Sequence, residues 1–311
     1  MSLDSSSEIL FPPRLKKAYS NFILLEENSY YKVYEATLKQ NNQIHTIRVL
    51  DVDSCSVMRD YNAAVTLFLQ EILYLCVRIK SKDSIIIENF EYFEGNIAFV
   101  MRHAKPLEAL ISADQTKPAI DLERMLKDLI FDIEFLSSKL QRDDIKVNPK
   151  SVWQVSKQYF IADWGASKHS NAHPSYMETL TKTFTSGLGV QSIHDQFLNY
   201  IPPEYIKSEF KSFGQDGAVP CSAELYSLGL LLLTAGGVEE QMWKELPKTH
   251  ELDKYEGMLK GLLEKMNGGR EVLDITAKLL QQNPLKRATM ENLLTDYCKR
   301  IILTDDGNGL E

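Results

Sequence analysis

Cysteine is scarce in this chain. Cys55, Cys76, Cys221 and Cys298 are scattered over 311 residues without a CxxC spacing, so neither a zinc site nor a disulfide framework is indicated. Reduced thiols in a cytosolic or nuclear protein fit that usage. Long apolar runs are missing too. The longest, residues 228–235, is far short of the ~20 residues that cross a bilayer. The opening MSLDSSSEILFPP has no basic segment followed by an apolar stretch, so no secretory leader is expected. Nor is there an excess of positive charge. With 35 Lys and Arg against 43 Asp and Glu the net charge is −8, which argues against nucleic acid or an anionic membrane as the main partner. A local basic groove would survive that argument.

What is present is ordinary for a globular protein: 44% hydrophobic and 25% charged residues, in a length that suits one large domain or two moderate lobes. Residues 1–20 are Ser-rich, then carry Pro12-Pro13 and a basic patch at Arg14, Lys16 and Lys17, and read as a flexible arm. Residues 21–51 follow strand patterns, with alternation at Tyr31–Tyr34 and again at residues 45–50, separated by an Asn41-Asn42 turn. That predicts a three-strand meander. Residues 61–80 place Val65, Phe68, Leu69, Ile72, Leu73 and Cys76 at helical spacing. Two further strands are expected at 85–87 and 97–101, around a turn at Glu94-Gly95-Asn96. Beyond them the pattern turns helical, with a short helix at 107–111 and a long one at 122–140. A hairpin at 152–155 and 159–162, helices at 222–235, 239–263, 272–280 and 290–302, and an acidic, disordered tail complete the reading.

Two residues and four stretches stand in a telling order. Arg48 lies on the third strand and Glu71 on the helix after it. FIADWGASK (160–168) ends a strand in Asp163-Trp164-Gly165. IPPEY (201–205), SAELYSLG (222–229) and NPLKRAT (283–289) follow. Together they resemble a degenerate member of the eukaryotic Ser/Thr protein kinase superfamily, over about residues 21–302. The resemblance implies an α+β, bilobal fold. A flexible arm (1–20) would precede a small β-rich lobe with one long helix (21–103), a larger, mainly helical lobe (104–302) and a disordered tail (303–311). It also implies that Asp163 stands at the metal-binding aspartate. Arg48, Glu71, Met101, His103 and Asp163 would face a nucleotide, with Met101–Ala104 joining the lobes.

The groups that would touch phosphate are replaced. The three glycine positions of the phosphate-covering loop hold Glu26, Asn28 and Tyr31, and Glu26 adds negative charge. Arg48 stands for a lysine whose compact charge it does not reproduce, although an Arg48–Glu71 pair would keep the structural half of the contact. The other reading leaves Arg48 facing solvent and Glu71 an ordinary surface carboxylate. Residues 141–153 fit two registers. Taken literally, QRDDIKVN makes Asp143 the catalytic base and Asn148 a metal ligand. Taken by strand pattern, Ile145-Lys146-Val147 is a short strand, no base remains, and Ser151 takes the asparagine position. The second register is preferred, because Ile145 and Val147 alternate and the literal one leaves too little chain for the preceding turn.

Residues 166–200 resemble an activation segment whose Thr179, Thr181, Thr183, Thr185 and Ser186 are candidate phosphorylation sites, or simply a mobile loop. Glu204 and Arg287 match a buried ion pair anchoring that segment, and Glu224 stands where an aspartate is usual. The implied function is a pseudokinase that scaffolds or regulates a protein partner, for instance an active kinase or its substrate. ATP and magnesium would be held weakly, through Asp163. Two alternatives stay open: an active Ser/Thr kinase, or a switch that binds nucleotide without phosphoryl transfer.

Overall fold

The structure, a computed structural model, describes residues 12–27, 31–50, 65, 69, 72, 74, 75, 87–93, 96–112, 120–139, 145, 147–155, 157–162, 200, 202, 203 and 222–296. The architecture is α+β, in two compact units that divide principally between Lys105 and Pro106.

The first unit opens with helix α1 (Pro13–Ala18). Pro13 sits at the first helical position, where a missing N–H costs nothing. The far end is clamped by Lys39. Its Nζ donates to the carbonyls of Lys16 (2.9 Å) and Lys17 (3.1 Å), and its backbone N–H to that of Ala18 (2.9 Å). Next come β1 (Tyr19–Glu27), β2 (Tyr31–Leu38), β3 (Ile44–Leu50), β4 (Ile87–Phe93) and β5 (Asn96–Arg102), forming an antiparallel sheet in the order β1-β2-β3-β5-β4. The β2–β3 turn is closed by Asn42, in the left-handed region at φ 58° that Asn tolerates.

Register sorts the two faces. Tyr34 lies opposite Ile47, and Ile47 opposite Val100; with Ala36, Val49 and Ala98 they pack under Leu15 and Tyr19. Val33, Arg48 and Phe99 line up on the other face. Residues 45–50 of β3 and 96–101 of β5 are therefore buried on both sides. The flexible arm expected through residue 20 is corrected from Pro12 onward. Leu15 is 1% exposed, and Tyr19 begins β1 inside the same cluster. A Ser/Pro/Lys composition looks unstructured, but one leucine facing an apolar sheet suffices to seat a helix of two turns.

Positions 65, 69, 72, 74 and 75 are helical, within the helix expected over 61–80. Tyr74 and Leu75 are buried, Val65 and Ile72 are half-buried, and Leu69 is 43% exposed.

Strand β6 (Ala104–Pro106) runs across the division at Lys105 and leads into α2 (Leu107–Ser112) of the second unit. Helix α3 (Leu122–Glu134) starts at Asp121, whose carboxylate accepts the Arg124 N–H at 2.9 Å, and runs on as a π-helical turn, Phe135–Lys139. Strands β7 (Val152–Val155) and β8 (Gln158–Ile161) complete a three-stranded sheet in the order β6-β7-β8. The short strand expected at Ile145 and Val147 is corrected as well: both lie in irregular backbone, and β7 is flanked instead by β6 and β8. Helix α4 (Ser222–Ala235) is apolar nearly all round and accordingly buried, with α5 (Glu240–Trp243), α6 (Leu252–Leu263), α7 (Arg270–Leu279), a 3₁₀ turn at Pro284–Lys286 and helical residues 290–296 after it.

Candidate functional site

Arg48 does not face solvent. It is 2% exposed on β3, between Val33 and Phe99, with its guanidinium carbon 5.8 Å from the centre of the Phe99 ring. A guanidinium near an aromatic face is more weakly hydrated, and so more readily buried, than a bare ammonium. The pair expected with Glu71 lies outside the described residues. Met101 is fully buried two residues along the same face, opposite Thr46.

The segment leaving β5 is tied to the sheet at each residue. Arg102 Nε donates to Glu88 at 3.2 Å, and the other Glu88 oxygen lies 2.7 Å from His45 Nε2. His103 Nε2 lies 3.2 Å from Glu35 on β2. Burial lowers the His103 pKa and outweighs the opposing pull of Glu35, so a neutral imidazole is favoured. The N–H of Ala104 donates to Thr46 Oγ at 2.9 Å, and the same hydroxyl donates back to the Ala104 carbonyl at 3.3 Å. Both groups are buried, and both backbone functions of Ala104 are satisfied.

In the second unit the turn before β7 is closed upon itself. Asn148 Oδ1 accepts the N–H groups of Lys150 (2.9 Å) and Ser151 (3.0 Å), an Asx turn. The Ser151 hydroxyl accepts from the Asn148 N–H at 3.0 Å and donates to its carbonyl at 3.1 Å. Trp153 Nε1 then donates to Lys150, and the Ala162 N–H to Ser151. Asn148 and Ser151 are 5% and 1% exposed. With two donors on Oδ1, Asn148 keeps no lone pair for the metal ion that the literal register assigned to it. Asn148 is therefore already engaged as a turn residue. Among them no group of three His, Cys, Asp or Glu is placed to hold a metal. Asp143 and Asp163 lie outside the described residues, as do the glycine-position residue Asn28 and the hydroxyls at 179–186.

The motifs from 200 onward hold the second unit together. Ser227 of SLG donates its hydroxyl to the Tyr200 carbonyl at 2.6 Å. Gly229 is needed because a Cβ there would come within 2.7 Å of the Leu280 side chain and 3.1 Å of Leu279, where α4 crosses α7. Thr234 Oγ accepts from Trp243 Nε1 at 3.1 Å and bonds the Tyr200 hydroxyl at 3.1 Å, and burial pushes the Tyr200 pKa strongly upward. Arg287, 3% exposed, donates to the carbonyls of Gln281 (2.9 Å), Ser222 (3.2 Å) and Gln282 (3.3 Å) and to Ser222 Oγ (2.9 Å), over the ring of Tyr226. Its expected partner Glu204 lies outside the described residues. Glu224 sits half-buried in the first turn of α4.

Sequence reasoning missed Asp128 and Asp132. These α3 carboxylates accept the N–H groups of Tyr159 (2.9 Å) and Ile161 (3.0 Å) and bracket β8 just before the Asp163 segment. A signal existed for Asp132, which shares a helical row with buried Met125, Leu129 and Leu136. Thr46 and Glu35 gave none, since threonine and alternating polar residues are unexceptional in strands.

No family model matches this chain, and no curated protein matches it.

Proposed function

We propose that this chain is a two-lobed, protein kinase-like module that works by binding a protein partner and does not transfer phosphate. The observation that carries the reading is the closed turn at Asn148–Trp153. β7 begins directly after Ser151, which favours the register in which Ser151 takes the asparagine position and no base precedes it. The side chain that each register would offer a metal ion, Asn148 or Ser151, bonds backbone groups there. Supporting it, Arg48 is buried as a structural residue, and the backbone N–H and C=O of Ala104 are occupied by Thr46. The partner, on this reading, is another protein of a signalling assembly, such as an active kinase or its substrate.

The test is thermal unfolding with millimolar ATP, with and without magnesium or manganese, on the wild type and on Asp163→Asn. A ligand at 100 times its Kd stabilises the folded state by ~2.7 kcal/mol, enough to shift Tm by a few degrees. No shift is expected. A metal-dependent shift that Asp163→Asn removes would overturn the proposal. A phosphorylation assay on Asp143→Asn would then separate an active kinase, whose activity that variant abolishes, from a nucleotide-binding switch.

A further inference from the structure

The five-stranded sheet ends on β1 at one side and on β4 at the other, and the two edges differ. Strand β1 is interrupted by register shifts between Ser20 and Ile23 and between Leu24 and Glu26, and passes through Asn21 at φ 52°. Bulges of this kind blunt an edge against a further strand. Strand β4 has one shift, between Ile87 and Asn89, and then pairs with β5 without a break from Asn89 to Phe93. A regular run of backbone therefore stands at an edge that no described strand covers.

The two faces of that run differ in chemistry. Phe90 and Tyr92 lie opposite Phe99 and Ile97 and are 46% and 68% exposed. Asn89 and Glu91 lie opposite Val100 and Ala98, on the face of the apolar cluster. The Asn89 amide donates to Glu91 at 3.3 Å, and no Lys, Arg or His among the described residues pairs with that carboxylate. Its charge is felt on that face: the pKa of Tyr19, within the cluster, is raised first by burial and then by Glu88 and Glu91. Glu88 is already shared by Arg102 and His45, which leaves Glu91 as the carboxylate lacking a cation. A second copy added antiparallel so as to stack Phe90 on Tyr92 would set Glu91 against its own counterpart, a like-charge pair.

We propose that the β4 edge takes an extended segment of a protein partner in which apolar residues alternate with Lys or Arg. The segment adds as a further strand: its main chain bonds the Asn89–Phe93 edge, its apolar residues cover Phe90 and Tyr92, and its cations face Glu91. This names the kind of partner for the binding role proposed above and rests on that reading, but it involves neither Asp163 nor a nucleotide.

Calorimetric titration of the full-length chain, without nucleotide, with a short capped peptide alternating valine and lysine tests this. Saturable binding is expected. It should weaken about tenfold in Glu91→Lys and about fivefold in a Phe90→Ser, Tyr92→Ser double variant. On the wild type alone, a peptide of the same composition with its lysines in one block should bind about tenfold more weakly. So should one whose alternate amides are N-methylated, because main-chain bonds carry strand addition. No saturation at millimolar peptide, equal binding of the block peptide, or indifference to Glu91→Lys would overturn the proposal. Self-association in sedimentation that the double variant abolishes would also overturn it, in favour of a second copy at this edge. Failure of the peptide leaves the absence of phosphoryl transfer standing, and a metal-dependent ATP shift would overturn that reading without altering the peptide result.

Discussion

The two units bury polar side chains for different purposes. In the second, Arg287, Asp128, Asp132 and Ser227 each reach from one element to the backbone of another, so polar groups are the brackets between elements. In the first, the sheet and α1 are joined by an apolar cluster around Leu15, Tyr34, Ile47 and Val100, and the polar groups Glu88, Thr46 and Glu35 attend to the end of β5 and the segment leaving it. The difference teaches where each unit is vulnerable. A bracket cannot be replaced by an apolar group, because the backbone groups it served remain buried. An apolar contact fails in proportion to the volume removed.

The sharpest way to break that comparison is Arg287→Met. Three carbonyls and the Ser222 hydroxyl would lose a charged donor, and any carboxylate the guanidinium serves would be stranded. A loss of about 3–5 kcal/mol is expected in denaturant unfolding. If methionine there proves neutral, the bracket account of the second unit is wrong.

Leu15→Ala should cost less, about 2–4 kcal/mol, as expected for a fully buried leucine at the margin of a core where α1 can readjust. The same measurement checks whether the N-terminal helix belongs to the first unit. A change below about 0.5 kcal/mol would show that α1 contributes nothing to the sheet it covers.

The smallest effect concerns His103. Its folded pKa lies below the unfolded value of about 6.5, so the unfolded chain binds the proton more readily. Stability from this group is present above about pH 6.5 and falls as pH drops towards the lowered folded value. Replacing His103 with Gln should flatten that part of the stability profile slightly. A steeper acid loss in the variant would reverse the sign and point to Glu35 winning over burial.

Much of the fold was legible because its signals are local. Alternation in residues 31–34 and 45–50 marked β2 and β3, and the spacing of Leu126, Leu129, Ile130 and Ile133 marked α3. The order of SLG before NPLKRAT located the pieces that pack in the second unit, although their reasons are tertiary: Gly229 answers to Leu280, and Arg287 to Ser222. The candidate site was less legible. Asn148 and Ser151 could be assigned as either ligands or turn residues, because their amide and hydroxyl serve both chemistries. Arg48 could be placed inside or outside, because a strand of alternating residues gives two faces without saying whether both are covered.

The sequence by itself determined most of the strands and helices, though not α1 or the irregular backbone at Ile145 and Val147, since backbone periodicity and capping depend on near neighbours. Only the tertiary structure decided what the polar side chains on those elements do. That Arg48 is buried beside Phe99, that Asn148 turns its oxygen to its own backbone, and that Thr46 holds Ala104 all depend on groups brought together by the fold. A buried polar atom takes whichever partner is within reach, and reach is set by packing, not by position along the chain.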